Sequence, residues 1–115
     1  MELIEFEKPL AIEEHIFQVN PDIMERWFDL ENEIWTKPLS KMPGFVSKEI
    51  WININVPGEV TVITFWSDIK LWKSIDLNWL IKNEKKFMDL IGEDNVRMVR
   101  AGHEENQRFK VRECR

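Results

Sequence analysis

Between Ile12 and Val19 apolar and polar side chains alternate, with Phe17 and Val19 on one face and Ile16 on the other, which is the period of a strand. The pattern breaks at Asn20-Pro21, where Asn suits a helix N-cap and Pro the first helical position. Beyond it the period turns helical. Ile23, Trp27, Leu30 and Ile34, flanked by Met24, Phe28 and Trp35, form a wide apolar face, and Asp22, Glu25, Arg26, Asp29, Glu31, Asn32 and Glu33 fill the other side. This helix is predicted to end before Pro38, because the residue ahead of a proline is disfavoured in helical conformation.

The next segment, "KMPGFVSKEIWININVPGEVTVITFW", reads as a β-hairpin: a Pro-Gly turn, a strand from Phe45 to about Asn55, a second turn at Pro57-Gly58, and a strand from Glu59 to Trp66. In the first arm Val46, Ile50, Ile52 and Ile54 share one face, and Phe45, Ser47, Glu49, Trp51 and Asn53 the other. The second arm separates Val60, Val62, Thr64 and Trp66 from Thr61, Ile63 and Phe65. Ser67 then stands where it can cap a short helix with Leu71 and Trp72, and Asp76 where it can cap a longer one. In that longer helix Leu77, Leu80, Ile81, Phe87, Met88 and Ile91 form a stripe ending at Gly92. A last strand is expected within "QRFKVR", after a less defined run through "VRMVRAGHEEN".

The order β-α-β-β-α-β predicts an α+β, ferredoxin-like fold with a four-stranded antiparallel sheet and two helices on one of its faces. Residues 1–11 are expected to be an N-terminal extension and 12–115 the single domain. Apolar residues on both faces of the hairpin imply that the face away from the helices is also covered, and a second copy of the chain does this most economically. The expected assembly is a homodimer through the sheet face.

Composition sharpens this picture. A chain of 115 residues with 43% hydrophobic and 32% charged residues has the make-up of one soluble globular domain. Six Trp and seven Phe against no Tyr are more bulky aromatics than so small a core hides easily, so some are expected to face a partner or ligand. The net charge of −5 argues against a nucleic-acid surface. No stretch approaches the roughly 20 apolar residues that span a bilayer. The start, "MELIEFEKPL", is acidic and unlike a secretory leader. Cys114 is the sole cysteine, which excludes an intramolecular disulfide and fits a cytoplasmic setting.

The order of elements, the "MPGFVSKEIW" turn and strand, the "FWSDIKLWKSI" junction and the "EKKF" segment resemble the dimeric α+β barrel superfamily, which includes antibiotic-biosynthesis and heme-degrading monooxygenases. "EIWTKPLSKMPGFVSKEIW", "VITFW" and "LWKSI" look like a small family of unknown function within it. The resemblance covers roughly residues 12 to 112. It implies a pocket between sheet and helices, lined by aromatic and small polar groups. The heme-degrading branch uses an Asn on the first strand and a Trp and a His in the second helical region. Here the corresponding positions hold His15, Ile75 and Lys85 or its neighbours, and residues 68–92 contain no His, so heme degradation by that route is not expected.

The candidate pocket residues are His15, Trp35, Trp51, Trp66, Trp72 and Glu84. No catalytic residue is assigned. His15 on the first strand and Glu84 in the apolar stripe of its helix are the side chains with the chemistry for proton transfer, since burial and neighbours move their pKa values. Glu49 is expected to pair across the sheet. His103 lies in the polar stretch "AGHEEN", and the two histidines make no metal motif. No metal and no cofactor is implied. The expected function is binding of a small hydrophobic or aromatic molecule, or service as an interaction module; the alternative is a cofactor-independent monooxygenase acting on an aromatic or quinol-like substrate.

Overall fold

A computed structural model of the chain describes residues 3–5, 8–101, 107–109 and 112–115. His103 lies outside them. In chain order the described elements are β1 (Leu3–Glu5), β2 (Pro9–Val19), α1 (Met24–Glu31), a π-helical stretch (Asn32–Thr36), α2 (Lys37–Ser40), β3 (Phe45–Ile52), β4 (Glu59–Trp66), α3 (Ile69–Lys73), α4 (Leu77–Ile91), β5 (Val96–Ala101), β6 (Gln107–Phe109) and β7 (Arg112–Cys114). The main sheet runs β3-β4-β2-β5 with antiparallel neighbours, the strand order of a ferredoxin-like fold.

Two strand assignments differ from the sequence pattern. The first strand begins at Pro9 rather than Ile12. The fourth strand of the sheet is "VRMVRA", not "QRFKVR". The chain leaves α4 at Gly92 and turns at once beside β2, where the Asn20 N–H donates to the Asn95 carbonyl at 2.7 Å, so Val96 falls opposite Val19. A register shift between Ile16 and Phe17 leaves Val99 unpaired and blurs the alternation that would have marked this strand. The "QRFKVR" segment supplies β6, paired with Pro9–Ala11 of β2, and the start of β7, paired with β1.

The first helix also runs on past its expected end. Pro38 lies inside the helical run because the turn before it is π-helical, with the Lys37 N–H bonded to the Asn32 carbonyl. A proline cannot donate to the carbonyl four residues back, here that of Ile34. Asn83 of α4 fills the vacancy, its Nδ2 donating to the Ile34 carbonyl at 2.8 Å. Of the expected caps, Asp76 accepts from the Asn78 N–H at 2.9 Å and Asn20 from Asp22 at 3.1 Å, whereas α3 is capped by Asp68 rather than Ser67.

The hairpin departs from strict alternation at both ends. Phe45 pairs with Trp66 but Ser47 with Phe65, so Val46 is an inserted residue and Phe45 turns to the helix side, its ring 5.8 Å from that of Trp66. At the other end β3 stops at Ile52, and Ile54 stands in the turn at 91% exposure rather than on the face of Ile50. Gly58 in the second turn has φ +85° and is buried under β2, where an added Cβ would meet the Val19 carbonyl at 2.2 Å.

Even-numbered residues of β4 and odd-numbered residues of β2 share one face: Val60 with Phe17, Val62 with His15, Thr64 with Glu13, Trp66 with Ala11. This face carries the core in two clusters. One gathers Val19, Trp27, Ile34, Val60, Val62, Phe87, Ile91 and Val96; the other gathers Ala11, Leu39 and Trp66 with Phe45, Ile69, Trp72, Ile75 and Trp79 against them. On the opposite face Ile16, Ile63 and Phe65 remain half-buried and Trp51 is exposed.

Candidate functional site

The two clusters do not meet. Between them, under the helices and over the sheet, lies a cavity of about 610 Å³. The sheet contributes Glu13, His15 and Phe17 from β2, Val62 and Thr64 from β4, and Lys48 from β3. The helical side contributes Trp27 and Glu31 from α1, Trp35 from the π-helical stretch, Trp72 from α3, and Leu80, Ile81, Glu84, Phe87 and Met88 from α4. Most of the wall is apolar, and the rings are mutually supported: Phe17 lies 5.9 Å and Phe87 6.4 Å from Trp27, and Trp35 stands edge-on to Trp79 at 5.9 Å.

Two polar groupings interrupt this wall. In the first, the buried Glu31 carboxylate accepts from Lys48 Nζ, and Thr36 Oγ1 lies 2.8 Å from both of its oxygens. The Glu31 and Lys48 side chains are only 6% and 7% exposed. The charge of each is tolerated because the other neutralises it. The π-helical turn makes this possible: it carries the chain five residues from Glu31 to Thr36 while keeping both on the cavity side.

The second grouping has no such partners. Glu84 stands at the rim of the cavity on α4, exposed on one side, yet the apolar side chains around its carboxyl raise its pKa above the ordinary carboxylate value; His15 across the cavity offsets part of this. Glu13, two residues from His15 on the same face of β2, completes the grouping. Among the described residues neither Glu13 nor Glu84 accepts a hydrogen bond from a protein side chain or forms an ion pair. One further polar atom in the wall is unmatched, the buried Trp27 Nε1–H, which like Trp66 Nε1–H has no acceptor.

Of the six side chains singled out in the sequence, the structure brings together His15, Trp35, Trp72 and Glu84 on this wall. Trp66 is fully buried in the second cluster, against Phe45, and Trp51 lies on the other face of the sheet, where its Nε1 donates to Glu49 at 3.1 Å. Glu49 thus bonds along its own strand, not across the sheet. Sequence reasoning passed over Glu31, Thr36 and Lys48. Glu31 reads as part of the solvated face of an ordinary helix, but Lys48 left a signal as the one charged residue interrupting the apolar face Val46-Ile50-Ile52.

Among the described residues no group of three or more His, Cys, Asp or Glu could hold a metal ion, and no helix is long and apolar enough to cross a membrane.

The chain shares its architecture with solved structures. It superposes on SnoaB, a cofactor-independent oxygenase from Streptomyces nogalater, with a TM-score of 0.56 at 14% identity over 84% of this chain and 90% of that one. A protein from Chloroflexus aurantiacus J-10-fl, named as a candidate antibiotic-biosynthesis monooxygenase, gives 0.60 at 12% identity over 89% and 93%. A conserved protein from Methanosarcina mazei Go1 gives 0.56 at 16% identity over 81% and 93%. No protein-family model and no curated protein matches the chain. At these identities the likeness is one of fold: the chain has the ferredoxin-like α+β fold of the antibiotic-biosynthesis-monooxygenase structures, as the sequence resemblance implies.

Proposed function

We propose that the protein is a homodimer, each subunit of which binds one small, largely hydrophobic aromatic molecule in the cavity between sheet and helices. The observation that carries this reading is the cavity itself: about 610 Å³, walled by Trp27, Trp35, Trp72 and other apolar groups, with a few polar side chains converging on it. Ligand sites have this form, whereas a domain serving only as a scaffold gains nothing from leaving such a volume unfilled. The dimer is supported by the opposite face of the sheet, where Ile16, Ile63, Phe65 and Trp51 form an apolar surface suited to a twofold partner. The cytoplasm is the proposed location, on the single cysteine.

Three indoles in the wall make the test direct. Titration with a naphthoquinol, followed by tryptophan fluorescence, should give saturable quenching at one ligand per subunit, abolished in Trp72→Ala. Linear, unsaturable quenching by quinol, flavin and heme alike would leave the interaction-module reading in its place. Sedimentation velocity should return a dimer mass, shifted toward monomer by Trp51→Asp.

One observation favours a catalytic reading of the same cavity. His15 on the sheet and Glu84 on α4 approach it from opposite sides, so a bound quinol could lose a proton to one of them before reacting with oxygen without a cofactor. Oxygen consumption dependent on quinol and lost in His15→Ala would support it.

A further inference from the structure

The charged groups of the cavity wall are unevenly matched. Three carboxylates border it, Glu13, Glu31 and Glu84, against two permanent cations, Lys48 and Arg97, and the titratable His15. Lys48 is committed to Glu31. Arg97 touches the cavity edge from β5, but its register partner is Gln18, which alternates with Phe17 and Val19 and so belongs to the other face of the sheet. This leaves Glu13 and Glu84 at one polar end with only His15 between them. His15 offsets only part of what it costs to surround the Glu84 carboxyl with apolar side chains.

The rest of the wall suits positive charge equally well. Indole faces attract ammonium groups through the ring quadrupole. At Trp72 the chain already does this for itself, with Lys73 Nζ 4.5 Å from the ring centroid. An anion, by contrast, would meet two unpaired carboxylates and find the nearest ammonium already occupied.

Building on the reading that the cavity binds a small hydrophobic molecule, we propose that its ligand is an organic cation: an amine with an aromatic body that lies among Trp27, Trp35 and Trp72 and an ammonium group held between Glu84 and Glu13. Ion pairing and the indole faces act on the same group. A neutral molecule of the same shape uses the apolar wall alone.

Calorimetric titration at neutral pH with 1-naphthylmethylamine, which is cationic there, 1-naphthylmethanol and 1-naphthoate separates these contributions. The amine should bind about tenfold more tightly than the alcohol, as a partly desolvated ion pair with cation–π support allows, and the carboxylate most weakly. Glu84→Gln, at an exposed position where folding is not at stake, should bring the amine down to the affinity of the alcohol and leave the alcohol unchanged. Glu13→Gln should act in the same direction. Equal binding of amine and alcohol, or preference for the carboxylate, overturns the cationic ligand and leaves the cavity as a binding site. Failure of all three to bind overturns both readings.

Discussion

Glu31 and Glu84 approach the same cavity from neighbouring helices and meet opposite treatment. Glu31 is buried, bridged by Lys48 and Thr36, and held by a helix turn that departs from α geometry to bring Thr36 to it. Glu84 is at the rim with no protein donor and with His15 as its only opposing group. A carboxylate with every lone pair engaged is a structural component. One supported by the fold but left unengaged is free to serve a ligand. The contrast matters more than either residue, because a count of acidic side chains in the cavity would treat them alike.

The comparison breaks most visibly at Lys48. Lys48→Met should leave Glu31 charged, buried and unpaired, at a cost of about 3–5 kcal/mol in urea denaturation. Adding Glu31→Leu should recover most of that loss, since paired burial of charge is seldom better than apolar packing. A loss below about 1 kcal/mol for the single variant would mean that the pair is solvated rather than buried. Thr36→Val should cost about 1–2 kcal/mol by removing the hydroxyl from Glu31. Asn83→Ala, which strands the Ile34 carbonyl freed by Pro38, should cost about 1 kcal/mol.

Glu84 should behave in the opposite way. Glu84→Gln is expected to leave the urea midpoint at low pH unchanged. The folded pKa of Glu84 lies above its ordinary value of 4.5, so between those two values the folded chain holds a proton that the unfolded chain has released. Stability from this group is therefore fully present below pH 4.5 and lost as pH rises through the folded pKa. The stability of the parent relative to Glu84→Gln should fall across that range in paired pH-dependent denaturations. A rise would mean that an unseen cation holds the carboxylate ionised.

The sequence pattern conveyed the order of elements because period and punctuation agree over most of the chain: Asn20-Pro21, Pro57-Gly58, Asp76 and Gly92 all mark real boundaries. It failed where one residue is inserted into a ladder or a helix. The bulge at Val46 moved Phe45 to the helix side, the shift beside Val99 hid the fourth strand, and the π-helical turn hid Glu31 and carried the helix past Pro38. Such insertions leave composition and propensity almost untouched, so periodicity alone does not report them. The tryptophans show the same limit. Trp66 and Trp72 flank one junction, yet the first is closed in by Phe45 and Leu39, whereas the second borders the cavity.

The turn at Asn32–Thr36 makes the spacing of the helical run from Met24 to Ser40 a matter of counting. Each residue of an α-helix advances the chain by about 100° around its axis. Excising any one residue between 32 and 36 would let ordinary hydrogen bonding resume and would swing all that follows by about that angle, carrying Thr36 off Glu31 and Leu39 out of the Trp66 cluster. Substitutions in this stretch have many acceptable outcomes; a change of length has none.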